Sequence, residues 1–583
     1  MTAFRNLYRH GFVRVAAFAP EVAPADPQAN AAAHIAHARK ADGEYAALAL
    51  FPELSLTGYA IDDLHHQATL LGAAEDAAAA LIAASKDLMP VIVAGCPVRA
   101  DGQLFNCALV IHRGRLLGVV PKTYLPNYRE FYEKRWFASA NGAISDTVRF
   151  AGQEAPFGAG LVFEASDMAG FVLGVEICED LWAVHPPSLD AALAGASVIV
   201  NLSASNALIG KARERSELAR VQSAKTMGAY LFAASGPGES TTDLAWDGQL
   251  CAHELGRTLA EGPRFEPGAS LITEFDVERI AQDRLRFSTF RDGIAARAGA
   301  LKAFRRIGFE LAPPLKAELP LSRKIARFPF VPSDPQRLDE DCYEAWSIQV
   351  EGLAKRLKST GLKRAVIGIS GGLDSTQALI VTARAFDRLG LSRKDIIALT
   401  LPGFATSRQT REQAIALAEA LKVTHREIDI RPAAERMLAD IGHPYASGAK
   451  QYDVTFENVQ AGLRTDYLFR IANHKGGLVI GTGDLSEAAL GWCTYGVGDH
   501  MSHYNVNAGL PKTLIQHLIA WAARTGAADA KAGPVLNRIL ATEISPELIP
   551  AGSDGAMQST QAIIGPYALQ DFTLHYVVRY GFG

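Results

Sequence analysis

The sequence predicts two α/β domains in tandem, a layered sandwich followed by a doubly wound parallel sheet. Three observations carry this. At 583 residues the chain is longer than one hydrophobic core usually supports. Apolar runs of strand length alternate with helical patterns in two blocks, separated by a stretch rich in Arg and Pro. One apolar run, Ala365 to Ile369, passes through a Gly-Gly turn straight into a helical pattern, a local arrangement that favours bound anions.

In the first block the runs Val13 to Phe18, Ala46 to Phe51, Pro90 to Ala94, Ala108 to Ile111 and Leu116 to Val120 read as strands. Phe171 to Ile177, Val198 to Leu202 and Tyr230 to Ala234 follow the same pattern. Pro27 to Ala41, Ala73 to Lys86 and Ser216 to Met227 read as helices. Arg113-Gly114 falls between two strands and marks a hairpin, so some pairing is antiparallel and a layered sandwich follows. Beyond Glu274 the pattern loosens. Arg284, Arg286, Arg291, Arg305 and Arg306 precede Pro313-Pro314, Pro320, Pro329, Pro332 and Pro335. This composition predicts a connector over 276–340 that packs on both halves, between domains at 1–275 and 341–583.

In the second block strands are expected at Ala365 to Ile369, Ile396 to Leu401, Thr424 to Ile428 and Leu478 to Gly481. Helices are expected at Ser375 to Phe386, Arg408 to Leu421, Phe456 to Asn473 and Pro511 to Arg524. That alternation makes a doubly wound parallel sheet, whose ligands bind at the carboxyl ends of the strands.

The chemistry of the second block starts at Ser370-Gly-Gly-Leu-Asp-Ser-Thr376. Small residues let backbone N–H groups point inward, and the following helix N-terminus favours negative charge. A Walker loop would end in Gly-Lys-Ser/Thr; here the lysine is absent and Asp374 stands in the loop. A carboxylate beside phosphates needs a divalent cation between them, so Asp374 is a candidate Mg²⁺ ligand. That geometry suits release of pyrophosphate as a unit. The run resembles the signature of the ATP pyrophosphatase (PP-loop) superfamily.

In the first block Glu53, Lys122 and Cys178 each sit just past a predicted strand, where side chains distant in sequence converge. They would supply a general base, a cation and a nucleophile. The lysine, with the backbone N–H after the cysteine, could stabilise the oxyanion of a tetrahedral intermediate. Glu179-Asp180 follow Cys178 immediately, an unusual flank for a purely apolar thiol.

Composition excludes several classes. A net charge of −4 leaves no basic footprint for nucleic acid or an anionic membrane. The six cysteines show no Cys-x-x-Cys pairing, which argues for a reducing cytoplasm rather than zinc or disulfides. No run approaches roughly 18 uninterrupted apolar residues, and Met1 to Pro20 lacks the pattern of a signal peptide. The 15 histidines lack metal spacing, and His65-His66 is expected on a solvated face.

Phe51-Pro-Glu-Leu-Ser-Leu-Thr-Gly-Tyr59, Pro121-Lys-Thr-Tyr-Leu-Pro-Asn-Tyr128 and Glu176-Ile-Cys-Glu-Asp-Leu-Trp182 resemble the nitrilase superfamily, from about Val13 to Phe275. Such a domain fused to a PP-loop domain resembles the glutamine-dependent NAD⁺ synthetase family. Asn201 to Asn206, Ser235 to Asp247, Leu401 to Thr406, Phe456 to Arg464, Gly481 to Glu487 and Gly491 to Asp499 carry the same resemblance. The resemblance implies a nitrilase-like α-β-β-α sandwich in which Cys178 attacks the glutamine amide, Glu53 accepts the proton and Lys122 stabilises charge. Tyr128, Ser205 and Lys211 match positions that hold glutamine. Gly368, Ile369, Ser370, Gly371, Gly372, Leu373, Asp374 and Ser375 would cradle ATP, with Thr482 at the nucleotide and Lys512 facing the phosphates. Asp374 and Glu487 would bind Mg²⁺. Asn458, Arg464, Glu487, Trp492, Cys493 and Thr494 would hold deamido-NAD⁺. The implied protein is a cytoplasmic homo-oligomer acting on L-glutamine, ATP and deamido-NAD⁺. The family continues past Tyr567 to Tyr576 with further helices and a lysine-bearing loop, whereas this sequence stops at Gly583, so full synthetase competence is an open expectation. A lone amidase and a ligand-sensing scaffold are the rival readings; intact Asp374, Glu487 and Lys512 weigh against both.

Overall fold

Arg113 and Gly114 turn the chain through positive φ at both positions (46° and 76°), the conformation whose twist matches the strands of a tight hairpin. That hairpin joins Gln103–His112 to Arg115–Pro121 within a six-stranded sheet. The sheet runs in the order Ala269–Asp276, Phe12–Ala19, Leu48–Leu50, Val91–Ala100, Gln103–His112, Arg115–Pro121. A second sheet has seven strands, in the order Arg257–Glu261, Leu250–Glu254, Ala229–Ala234, Val198–Ser203, Val172–Ile177, Leu161–Ala165, Arg305–Phe309. The two sheets face each other: Phe12–Ala19 of the first contacts Ala229–Ala234 of the second. Every residue of Phe12–Ala19 is buried, as expected for a strand covered on both faces.

This is a computed structural model that describes residues 4–241, 244–331, 334–493, 498, 500–545, 548–550 and 559–582. Contacts divide the chain into two units, Met1–Lys324 and Ile325–Gly583. In the first, helices cover the outer faces. Pro27–Gly43 begins with Pro at its first turn and with the Asp26 carboxylate accepting from the Ala29 N–H. It packs on Ala68–Ala84. The segment Ala68–Asp87 is apolar and long enough to span a membrane by composition, a feature that counting uninterrupted apolar residues does not register. Leu70, Leu71, Ala74, Ala78, Leu81 and Ile82 on that helix are buried within the sandwich unit. His65 departs from expectation: it is buried between the rings of Trp136 and Phe137, and only His66 is exposed.

The stretch expected as a connector is largely structured. Val277–Arg286 is a helix whose start is capped by Asp276, and Ser288–Leu301 follows it. Arg305–Phe309 then joins the seven-stranded sheet parallel to Leu161–Ala165. The boundary between units falls at Lys324/Ile325. Arginine density misleads here because the guanidinium groups serve as caps. Arg284 alone donates to the carbonyls of Met227, Ala196 and Thr226.

In the second unit a long helix, Pro335–Thr360, precedes a five-stranded, wholly parallel sheet. Its order is Thr424–Glu427, Ile396–Thr400, Ala365–Gly368, Leu478–Gly481, Tyr504–Asn505. The strand order reverses between Ala365–Gly368 and Leu478–Gly481, whose register pairs Ala365 with Leu478. A switch of that kind opens a crevice at the carboxyl ends of these two strands.

Candidate functional site

Glu53 follows Leu48–Leu50 and Lys122 follows Arg115–Pro121 on one sheet, while Cys178 follows Val172–Ile177 on the other. Facing sheets bring the three together. The Lys122 Nζ donates to Glu53 Oε1 at 2.6 Å and to both oxygens of Glu133 at 2.7 and 2.9 Å, all of them fully buried. Glu133 escaped the sequence reading because it stands alone in a short turn with no motif around it. Burial favours an uncharged lysine, but Glu133 and Glu53 outweigh it and raise Lys122 well above its ordinary pKa. Burial pushes Glu133 up to about 7, against the pull of Lys122. Tyr59 OH donates to Glu133 Oε1 at 2.8 Å, and Asn106 Nδ2 to Glu53 Oε1 at 2.7 Å. Glu53 Oε1 is thereby saturated, while buried Glu53 Oε2 has no hydrogen-bond partner among the described residues.

Cys178 sits at a φ of 45°, a left-handed turn that a residue with a side chain adopts at a cost. Its N–H donates to Asn201 Oδ1 at 3.2 Å, and its Sγ accepts from Ser203 Oγ at 3.3 Å. Burial, then the charge of Glu53, raises the thiol well above its usual pKa, with Lys122 opposing. This environment favours the neutral thiol at Cys178.

The three residues expected around glutamine lie close to Cys178. Tyr128, half exposed, donates to Glu179 Oε1 at 2.7 Å. Buried Ser205 donates its N–H to Ser203 Oγ at 3.3 Å. Lys211 opens the helix Lys211–Lys225 and donates to Asn206 Oδ1 at 2.6 Å, with its ammonium 5.3 Å from the Phe131 ring. Burial lowers the Lys211 pKa.

In the second unit Gly371 adopts a φ of 85°, and a Cβ there would lie 2.1 Å from the Thr410 carbonyl oxygen, so only glycine fits. The loop closes on itself: Gly372 N–H donates to Ser370 Oγ, and Ser370 N–H donates to Ser375 Oγ, each at 3.2 Å. Helix Leu373–Arg388 begins at Gly372 with no side-chain cap, which leaves its first N–H groups for a ligand. Ile369 is held to the neighbouring strand by its N–H on Leu399 O at 2.9 Å. Asn507 Nδ2 bridges Asp374 O and Thr482 O at 2.9 and 3.0 Å, which joins the ends of the two switch-point strands.

There Lys512 Nζ meets Asp374 at 2.6 Å, Asp484 at 2.7 Å and Glu487 at 2.8 Å. Asp484 was missed by the sequence reading. It looks like a helix cap, and it is one, accepting from Glu487 N–H at 2.7 Å. The three carboxylates offer oxygens within 4.8 Å of one another, and Asp374 Oδ1 is buried without a hydrogen-bond partner among the described residues. That donor set, all hard oxygen, fits Mg²⁺. Burial, then Asp374, pushes Asp484 up to about 7 and Glu487 up to about 8, with Lys512 opposing. A second missed residue, Asp571, lies behind the cluster. It accepts from Ser486 Oγ at 2.5 Å, from Thr513 N–H at 2.9 Å and from Thr513 Oγ1 at 2.7 Å. It thus holds both the turn carrying Glu487 and the helix start carrying Lys512.

Of the expected dinucleotide contacts, Arg464 reaches the end of the adjacent strand, donating to Leu401 O at 3.2 Å. Asn458 lies half-buried on the same helix, Val454–Lys475, and no hydrogen bond or ion pair ties it to the cation cluster among the described residues. Trp492 N–H donates to Glu487 O at 2.9 Å, and Cys493 follows it half-buried. Thr494 lies outside the described residues.

Comparison with known proteins agrees with both halves. A carbon-nitrogen hydrolase family model matches residues 14–285, and an NAD synthase model matches 345–577. The glutamine-dependent NAD(+) synthetase of Mycobacterium tuberculosis (strain H37Rv) is 56% identical over 99% of this chain and 85% of its own length. That of Mycobacterium leprae is 53% identical over the same shares. The Aquifex aeolicus enzyme of the same name is 26% identical over 89% of this chain and 81% of its own. With a nitrilase-like thiol site in one unit and a PP-loop in the other, this chain belongs to the glutamine-dependent NAD⁺ synthetase family.

Proposed function

We infer that this chain makes NAD⁺ from deamido-NAD⁺, ATP and glutamine, releasing glutamate, AMP and pyrophosphate. One observation carries the reading: a single chain of this family holds both a buried Cys178–Glu53–Lys122 cluster and a glycine loop beside three carboxylates whose oxygens lie close enough together to hold a cation. The Cys178 sulfur attacks the glutamine amide carbon as Glu53 takes the thiol proton. The partnerless Glu53 Oε2 supports that role. Lys122 stays a cation and stabilises the oxyanion. Ammonia leaves, and water hydrolyses the thioester to glutamate. Lys211 offers a cation to the substrate α-carboxylate, and Glu179 an anion to its α-ammonium.

In the second unit the deamido-NAD⁺ carboxylate, inert to ammonia at neutral pH, attacks the α-phosphorus of ATP and expels pyrophosphate. Ammonia then displaces AMP from the acyl-adenylate. Gly368 to Ser375 present backbone N–H groups to the phosphates, and Lys512 balances their charge. Asp374, Asp484 and Glu487 would hold Mg²⁺, which when bound neutralises and orients the phosphate oxygens. Arg464 supplies a cation for a dinucleotide phosphate. All six cysteines are free, which supports a reducing, cytoplasmic setting. The family also leads us to assign a homo-oligomer, which light scattering would measure.

The deciding assay supplies purified protein with deamido-NAD⁺, ATP and Mg²⁺, plus either glutamine or ammonium, and follows NAD⁺. Formation with both nitrogen sources is the expected result. Formation with neither, while glutamine is still hydrolysed, would overturn the synthetase half of the reading.

A further inference from the structure

Asp180 is nearly fully buried, and among the described residues its carboxylate is hydrogen-bonded to the backbone of the turns carrying Cys178 and Lys122 rather than to the side chains of Glu53, Lys122 or Cys178. Oδ2 accepts from the Ile177 N–H at 2.9 Å, immediately before the nucleophile. Oδ1 accepts from the N–H groups of Thr123 at 3.2 Å and Tyr124 at 2.8 Å, immediately after Lys122. Cys178 and Lys122 follow strands of different sheets, so no ladder hydrogen bond fixes their separation. We propose that Asp180 is the positioning residue that sets the distance between Cys178 and Lys122. This rests on the glutaminase assignment above.

Two features make the arrangement specific. All three partners are backbone N–H donors, so the group between them must accept at both oxygens, which carboxylate does and a carboxamide cannot. The turn that Asp180 closes also contains the left-handed Cys178, and a strained turn holds its shape only where its surroundings over-determine it. In Asp180→Asn one face of the side chain presents N–H to N–H. Either the Ile177 bond or the Thr123–Tyr124 pair is lost, and the nucleophile turn moves relative to the lysine. Misplacement of about 1 Å at reacting groups costs on the order of 10²-fold in rate.

The test compares the full chain with Asp180→Asn and Asp180→Glu. Three quantities are read: kcat and KM for glutamine hydrolysis, the rate of Cys178 carbamidomethylation by iodoacetamide, and ammonium-driven NAD⁺ synthesis. Asp180→Asn is expected to lower kcat on the order of 10²-fold with KM little changed. It should also alter the alkylation rate and leave ammonium-driven synthesis at the parent level. Asp180→Glu, which keeps two acceptor oxygens on a longer arm, should recover part of the lost kcat. Parental kcat in Asp180→Asn overturns the proposal. So does a fall in kcat with the alkylation rate unchanged, since the nucleophile turn has then not moved, and so does a fall in kcat matched by an equal loss of ammonium-driven synthesis with no recovery in Asp180→Glu, the pattern of a general loss of fold. If Asp180→Asn yields no soluble protein, Asp180→Glu decides alone: reduced kcat at parental KM supports the positioning role, and parental kcat sinks it. Failure of the glutaminase assignment itself would look different, because then the unmodified chain would not hydrolyse glutamine.

Discussion

Both sites centre on a buried lysine among carboxylates, but the balance differs. Lys122 faces two, Glu53 and Glu133, while Lys512 faces three, Asp374, Asp484 and Glu487. One buried cation against two anions is close to self-contained once one carboxyl holds a proton, as Glu133 with its raised pKa is suited to do. A third carboxylate at the mouth of a phosphate loop adds negative charge where more must bind; burial and mutual repulsion raise Asp484 and Glu487, so protons hold that charge until a cation replaces them. Only an added cation makes that arrangement productive. On the proposed reading, the first site moves a proton and the second receives a metal–phosphate complex.

The contrast can be broken most sharply at the nucleophile. Cys178→Ala should abolish glutamine-driven NAD⁺ formation while ammonium-driven formation persists, since a methyl group forms no thioester. Full turnover with glutamine in that variant would remove the thiol from the mechanism. Asp374→Asn reverses the pattern. Synthesis from either nitrogen source should fall roughly 10²-fold or more, with glutamine hydrolysis retained. Equal rates at limiting Mg²⁺ would count against a metal role. A milder effect is expected one layer back. Asp571→Asn loosens the Ser486 and Thr513 contacts and should raise the Mg²⁺ requirement for synthesis by roughly 10-fold, because partners behind a metal site typically contribute 10- to 100-fold. Mn²⁺ binding followed by electron paramagnetic resonance checks this independently of turnover.

The smallest effect is on stability. Glu133 has a folded pKa of about 7 against an ordinary 4.5, so the folded state holds its proton more tightly. That contribution is fully present below about 4.5 and is lost as pH rises through about 7. Calorimetry of Glu133→Gln should show a flatter fall in stability over that window. An unchanged slope would mean that Glu133 stays ionised beside Lys122.

The sequence exposed those parts of both sites that sit directly after apolar strands. Glu53, Lys122 and Cys178 each follow a run readable by periodicity, where side chains converge, and Asp374 is legible from the glycine turn that joins such a run to the start of a helix. Glu133, Asp484 and Asp571 were not legible, because each reaches its partner from a turn or cap whose local pattern has another sufficient explanation. The strands Leu250–Glu254 and Arg257–Glu261 were missed for a related reason. They are short and carry charged residues, and the second is mostly exposed. The helix Pro335–Thr360 was obscured by the prolines that precede it. The depth of the Lys122 cluster could not be read at all, since burial of a charge depends on partners from three separate segments.

A nucleophile stored as its own conjugate acid has a consequence for durability. Peroxide and most alkylating agents attack the thiolate, so a buried thiol at a raised pKa should oxidise to sulfenic and sulfinic acid more slowly than an exposed cysteine of ordinary pKa. The proton leaves when a bound carbonyl gives the sulfur somewhere to go. Resistance to damage and selectivity for a substrate that fits then have the same origin, the burial of Cys178 beside a carboxylate.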